Sequence, residues 1–521
     1  MVARVAKDGA RESHAAAHTS RREFLRAGGC AALGTVFAAP VAGAALEGIA
    51  AESAATPQSG GILLPPYRVD VSGNGQVGPV DAQISRAALN SQRGFNLSPA
   101  PGYDFRADIF GRGIVDQLDI NSVEFNVPLL QGIGQFPDRR PITVAWHYGW
   151  YNDRGRPPLV PTAQFLTGNY ASWDPVVEGQ FNELKNEFGI TVDALSWINP
   201  IVNPLLENNY RAGYLKAPHL ATRHVALLYE STLSLQGSGR IDFTSTAVRG
   251  RLVADFGRMG RFMAEIRDTT PARLFMLDGR PVMFIFGTHS WGVGSPLGFE
   301  FAAMDVAVAD AIENFASAFG KSPYLVGEEM LLSPSDEYRI DRFRRTANFD
   351  AIFNYHHASS QQQVIESGGF LGKPYALANK RLMQRVYRTA MFQRNRFTGR
   401  QLLIIPSLAA GFAKLGLMKL VATKGSYADF MKLTMDTHMK EYLKPFLSKE
   451  LGTAVLPAPV YTVGSWNEDY EGHAVFPAAF NQSLLKAQFG GFDLAMAIKQ
   501  VFSWNHYAAR PIIWPAPPVT R

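Results

Sequence analysis

Eight short apolar runs, each closing on polar or aromatic residues, recur along this chain, starting near positions 143, 192, 224, 282, 323, 349, 401 and 460. Between most of them lie amphipathic stretches of helical period. The predicted helices cover Asp174 to Phe188, Val248 to Arg267, Ala302 to Phe319, a stretch around Asp336 to Thr346, part of Val364 to Arg396, Tyr427 to Leu447 and Gln482 to Phe502. The first has Asp174 as N-cap and Pro175 in its first turn, where a missing N–H costs nothing. Near-continuous apolar strands alternating with helices imply a parallel sheet buried on both faces. Eight such units over about 360 residues fit a (β/α)8 TIM-type barrel, an α/β fold. An open doubly wound sheet is the other arrangement. It is disfavoured because no glycine-rich phosphate fingerprint follows the first run.

The N-terminal part reads differently. Ser20-Arg21-Arg22-Glu23-Phe24-Leu25-Arg26 and the Ala/Gly-rich stretch to Ala45 have the form of a twin-arginine export signal, with Ala42-Gly43-Ala44 as the cleavage site. That apolar stretch is too short and weak for a stable membrane span, which needs about 20 strongly apolar residues. The expected division is a signal peptide over 1–44, a linker over 45–65, an irregular N-terminal segment over 66–140 packed on the barrel, and the barrel over 141–521. The resulting expectation is a bacterial periplasmic or extracellular protein that meets the twin-arginine translocase during export. Cys30 is the only cysteine and lies in the signal, so the processed chain has no disulfide and rests on its core. Removing 1–44, with six Lys/Arg and three Asp/Glu, lowers the net charge from +6 to +3. So weak a balance argues against a nucleic-acid partner. The run from Lys380 to Arg400, with seven basic residues and no acidic one, reads as a solvated face or a patch for an anionic surface.

A barrel carries its active site at the C-terminal ends of its strands. Those ends supply His147, Tyr148, Trp150 and Tyr151; Trp197 and Asn199; Tyr229 and Glu230; His289 and Trp291; Glu328 and Glu329; Asn354, Tyr355, His356 and His357; Ser407; and Trp466, Asn467, Glu468 and Glu471. Aromatic faces stack on sugar rings, and amides and carboxylates hydrogen-bond hydroxyls, so this inventory suits carbohydrate. The expected substrate-binding set is His147, Tyr148, Trp150, Trp197, Tyr229, Glu230, Trp291, Tyr355, His356, Trp466 and Asn467.

Other chemistries fit less well. His356-His357 and Glu328-Glu329 are adjacent pairs, and neighbours on a strand point to opposite faces, so neither pair enters one metal site whole. There is no H-E-x-x-H and no G-x-S-x-G, and cysteine chemistry leaves with the signal. No cofactor or metal is called for. Glu468 and Glu471 are three apart, which in a helical turn puts both on one face about 5–6 Å apart. Carboxylates that close are driven to different pKa values, one serving as base and the other as acid. Paired-carboxylate glycoside chemistry is therefore the expectation. A pairing of Glu468 with Glu230 or Glu328 across the barrel stays open, as does a glycan-binding protein without chemistry.

The last motif, Ser465-Trp466-Asn467-Glu468 with Glu471-Gly472 and Pro477, resembles the S-[WF]-N-E-W-x-E-G signature of glycoside hydrolase family 99 and its family-99-like relatives. Softer likenesses span about 141–480: Trp146 to Tyr151, Asp193 to Trp197, Tyr229-Glu230, Asp278 to Val282 and Phe349 to Ile352. The resemblance implies an endo-acting α-glycosidase of mannan-like or bacterial surface polysaccharide, or a glycosyl-transfer relative. It also implies that Glu468 is the base, that Glu471 is the acid, and that Asn467 positions Glu468. The implied route removes the proton of the sugar 2-hydroxyl, forms a 1,2-anhydro sugar and opens it with water, with net retention. Asp469, Phe476 and the Ser407 to Phe412 segment differ from the family pattern, at positions bearing on substrate contacts more than on the pair.

Overall fold

The computed structural model describes residues 64, 66–72, 74–94, 99–131, 141–151, 164–165, 170–235, 241–292, 299–329, 344–355, 384, 393–409, 411–414, 417–420, 427–447, 459–467, 475, 478–479 and 493–502. Eight parallel strands form the centre: β1 Ile142–His147, β2 Val192–Trp197, β3 His224–Glu230, β4 Arg280–Phe286, β5 Tyr324–Glu328, β6 Ala351–Phe353, β7 Leu403–Ile405 and β8 Val460–Ser465. Each pairs with its sequence neighbour, and β8 returns to pair with β1. The last seam is short. Ser407 bridges Thr462 in parallel, with Thr462 N–H donating to Pro406 O at 3.0 Å and Leu408 N–H to Thr462 O at 2.6 Å. The sheet is thus a (β/α)8 barrel, and all eight predicted runs are its strands. A two-residue turn at Asp278-Gly279, both with positive φ, folds Met276–Leu277 back antiparallel onto the start of β4.

The helices of the described residues are α1 Pro79–Ala87, α2 Gln117–Leu130, α3 Pro175–Phe188, α4 Leu206–Ala212, α5 Thr246–Thr269, α6 Phe299–Phe319, α7 Tyr427–His438 and α8 Asp493–Phe502, besides single-turn pieces. Sequence sets the ends of α3: Asp174 accepts from Val176 N–H, Pro175 opens the helix, and Gly189 closes it at φ 81°. Helices α5 and α6 approach closely because Gly257 and Gly260 line the contact. A Cβ at Gly260 would sit 2.9 Å from Phe315 O. After α7 the chain continues over Met439–Leu447 as a wider π-helical turn rather than the single helix expected to Leu447.

Apolar side chains divide by strand face. Val144, Trp146, Ala226, Leu228, Phe284, Val326 and Phe353 belong to the cluster within the barrel, and Leu195, Leu227, Met283, Ile285 and Leu325 to the layer under α5 and α6. The N-terminal segment, expected to be irregular, holds α1 and α2 and a small core of Val69, Ile109, Val115 and Val123. Buried ion pairs tie it to the barrel helices: Arg93 to Glu187 of α3 at 2.6 Å, and Asp108 to Lys499 of α8 at 2.9 Å. The signal sequence, the linker and most of the Lys380 to Arg400 run lie outside the described residues. Arg396 and Arg400 of that run pair with Asp305 and Asp278. Among the described residues, no helix is long and apolar enough to cross a membrane.

Candidate active site at the barrel mouth

Strand alternation decides which strand-end residues meet. Trp146 faces inward, 5.1 Å from both Phe284 and Phe353 and stacked at 6.0 Å on Tyr355. Towards the C-terminal rim, the Tyr148 and Tyr355 hydroxyls meet at 2.6 Å, Tyr355 packs edge-on against Phe286, and half-buried Trp150 lies 4.3 Å from Tyr148. Glu230 continues the inward face of Leu228 and accepts from Ser196 Oγ at 3.0 Å. Glu328 continues the inward face of Val326. Its Oε2 accepts from Gly287 N–H at 2.7 Å and lies 3.4 Å from His289 Nδ1. The register puts Glu230 beside Phe286 and Glu328 on the next strand, so their Cα atoms are about 10 Å apart, two strand spacings. Both carboxylates are buried. The inner face at this end of the barrel thus combines aromatic rings with two fixed, buried carboxylates.

Five residues expected to contact substrate sit instead between the barrel and its helices. His147 is fully buried, with Nε2 3.1 Å from Glu178 and Nδ1 3.1 Å from Lys185 Nζ. Lys185 also pairs with Asp193 at 2.9 Å, and Asp193 takes a two-pronged contact from Arg223 and the Tyr214 hydroxyl. Burial pulls the Lys185 ammonium below its ordinary pKa. For Asp193 burial is the largest single influence and acts upward, but the cations of Arg223 and Lys185 outweigh it and hold the carboxyl far below its usual range. Trp197 donates from Nε1 to Glu207 of α4 at 2.8 Å. Tyr229 donates to Asp255 of α5 at 2.8 Å. Trp291 donates to Ser231 Oγ at 3.0 Å and packs against Phe243 and Phe349. Trp466 lies against Phe181 with the Lys185 ammonium 5.2 Å from its ring. The reason is common to His147, Trp197, Tyr229 and Trp466: each is one step from a residue on the inner face, so the pleat sends it outward.

Asn467 is different. Its Oδ1 accepts from Tyr148 N–H at 2.9 Å, and its Nδ2 donates to Tyr148 O at 2.9 Å and to Tyr170 Oη at 2.8 Å. The Tyr151 hydroxyl donates to the Asn467 carbonyl at 2.7 Å. One amide side chain thus continues the β1–β8 ladder beyond the strands. The register shift just before it, between Thr462 and Ser465, places Gly464 at φ 96°, a conformation that glycine adopts without the Cβ clash other residues meet. Glu468, Glu471 and His356 lie outside the described residues.

Ser196, Tyr170 and the contact of His289 with Glu328 were not anticipated. Ser196 precedes Trp197 and so carries the inward position that the tryptophan was expected to fill; period-two counting from Ala194 would have found it. Among the described residues, no group of three or more His, Cys, Asp or Glu is arranged to hold a metal ion.

No family model matches the chain, and no curated protein matches it. Solved structures resemble it in part. The GH99 endo-alpha-mannosidase from Bacteroides thetaiotaomicron is 16% identical, with 69% of this chain and 95% of that chain covered, at a TM-score of 0.41. A glycoside hydrolase-like protein is 12% identical, covering 70% and 95%, at 0.46. The catalytic domain 2 of an Ostrinia furnacalis Group II chitinase is 11% identical, covering 55% and 70%, at 0.29.

Proposed function

We propose that this protein is an exported retaining glycoside hydrolase acting within an α-linked glycan, of a mannan-like or bacterial surface polysaccharide class. Glu468 and Glu471 serve as its acid–base pair. The observation that supports this reading best is the double clamp of Asn467 on the Tyr148 backbone. It fixes the residue immediately before Glu468 to the rim that carries Tyr148, Tyr355 and Trp150. Such anchoring serves catalysis, because a reacting group gains most when its geometry is set before substrate arrives. In this scheme Glu468 takes the proton of the sugar 2-hydroxyl while Glu471 protonates the departing glycosidic oxygen. The 2-oxygen closes on the anomeric carbon, and water then opens the 1,2-anhydro ring, giving a proton to Glu471 as base while Glu468 returns its proton to the 2-oxygen. Tyr148, Trp150, Tyr355 and Glu230 contact the sugar; His147, Trp197, Tyr229, Trp291 and Trp466 hold the wall behind them.

The test is digestion of a panel of α-linked glycans with the processed protein, following product anomers by NMR. Glu468→Gln and Glu471→Gln should each lose at least about a hundredfold in kcat/KM while folding normally. Wild-type rates in both variants would overturn the assignment. Product of inverted configuration would exclude the anhydro-sugar route.

A further inference from the structure

The end of β5 carries an arrangement that the acid–base scheme above gives no role. Gly287, in the left-handed region at φ 82°, turns the chain after β4 into a single helical turn over Thr288–Ser290. That turn brings His289 over the end of β5. Its side chain is 27% exposed, whereas Glu328 beneath it is 1% exposed, with Nδ1 and Oε2 3.4 Å apart. Glu328 is held from behind, since Gly287 N–H donates to the same Oε2 and Thr288 Oγ1 to the Glu328 carbonyl. Neither Glu328 Oε1 nor His289 Nδ1 has a hydrogen-bond partner among the described residues, and the 3.4 Å between Nδ1 and Oε2 is a contact that becomes a hydrogen bond only by tightening, as such pairs do when substrate binds. A neutral side chain would cap one N–H equally well, and burying a carboxylate for that alone is costly. A half-open imidazole backed by a buried, backbone-anchored carboxylate is the arrangement that orients a histidine for proton transfer.

We propose that His289 and Glu328 form a second acid–base unit in the mouth: His289 meets a hydroxyl of the bound glycan, and Glu328 is the positioning residue that sets its ring. The assignment to a glycan hydroxyl rests on the function proposed above; the dyad itself does not. Other charged groups on neighbouring elements are Glu230, on the inner face of β3, and Glu329, which pairs with Arg345 at 2.9 Å beyond the end of β5. Neither bonds to His289.

Two measurements separate the claims. The His289 ring-nitrogen signals, assigned by their loss in His289→Gln, are compared by NMR in wild type and in Glu328→Ala, and they report which nitrogen of the neutral ring carries the proton. Wild type should hold the proton on Nδ1, facing Glu328 Oε2, and Glu328→Ala should lose that preference. The same tautomer distribution in both proteins overturns the dyad whether or not the protein cleaves any glycan. Values of kcat/KM are then compared for wild type, His289→Gln and Glu328→Ala on a glycan that wild type cleaves. His289→Gln should lose about a hundredfold. An unaltered kcat/KM in an active enzyme overturns the role of His289 toward substrate. A protein that cleaves no glycan of the panel overturns the glycan assignment, and the tautomer result then stands alone on the dyad.

Discussion

Replacing Asn467 with alanine tests the clamp between the first and last strands. The variant removes three hydrogen bonds of 2.8–2.9 Å, all in buried surroundings: two to the Tyr148 backbone and one to the Tyr170 hydroxyl. A buried polar group that loses its partner costs about 1–3 kcal/mol. Water entering the space left by the amide recovers part of this. The Tyr148 N–H and C=O both lose this partner, so about 3 kcal/mol of destabilisation is expected, well above an average substitution. Guanidinium titration followed by tryptophan fluorescence measures it as a fall in midpoint at constant m. Asn467→Asp keeps an acceptor for Tyr148 N–H but has no donor for Tyr148 O and buries a charge, so at neutral pH it should cost at least as much. A loss below about 1 kcal/mol in both variants would refute the argument that this side chain carries the seam, since that is the worth of one ordinary exchangeable hydrogen bond.

Three further outcomes follow from buried charge. His438 of α7 stacks on Tyr442, and burial lowers its pKa from 6.5 to about 3. The unfolded chain therefore takes up a proton that the native state refuses. The stability this gives is present above pH 6.5 and is lost as pH falls towards 3, by about 2 kcal/mol at pH 5. His438→Phe should flatten that acid limb in unfolding titrations at pH 5 and 8, and an equal slope in both proteins would contradict it. Asp255 runs the other way. Burial raises it from 3.8 to about 6 despite bonds from Tyr229 and Asn199. Its contribution is full below pH 3.8 and is lost as pH rises through about 6, by about 3 kcal/mol in all, and Asp255→Asn should remove that descent between pH 4 and 7. Lys185→Met leaves Asp193 short of one cation in the barrel wall and should cost about 3–5 kcal/mol in the same denaturant assay; a neutral result would show that Arg223 and Tyr214 suffice.

The eight strands were legible because a strand buried on both faces must be apolar nearly throughout, and the helix between two such strands must carry a 3.6-residue stripe. Those are local demands, readable in windows of a few residues, as were the Asp174 cap, the Asp278-Gly279 turn and the order that brings β8 beside β1. The N-terminal helices were less legible because Gly, Asn and Pro crowd the segment and its small core comes from scattered residues.

The inward or outward sense of each strand end belongs to tertiary structure. His147 and Tyr148 are adjacent and equally aromatic in character, yet one is held by Lys185 and Glu178 outside the barrel and the other meets Tyr355 within it. Composition cannot separate them, because the pleat assigns faces by parity and a bulge such as that at Gly464 resets the parity along its own strand. Asn467 shows the same limit at longer range: its partner Tyr148 is 319 positions away, brought near only by closure of the barrel. The sequence by itself determined that the chain makes a ring of strands with polar residues at their ends. Which of those residues share the mouth was decided by the packing of the ring.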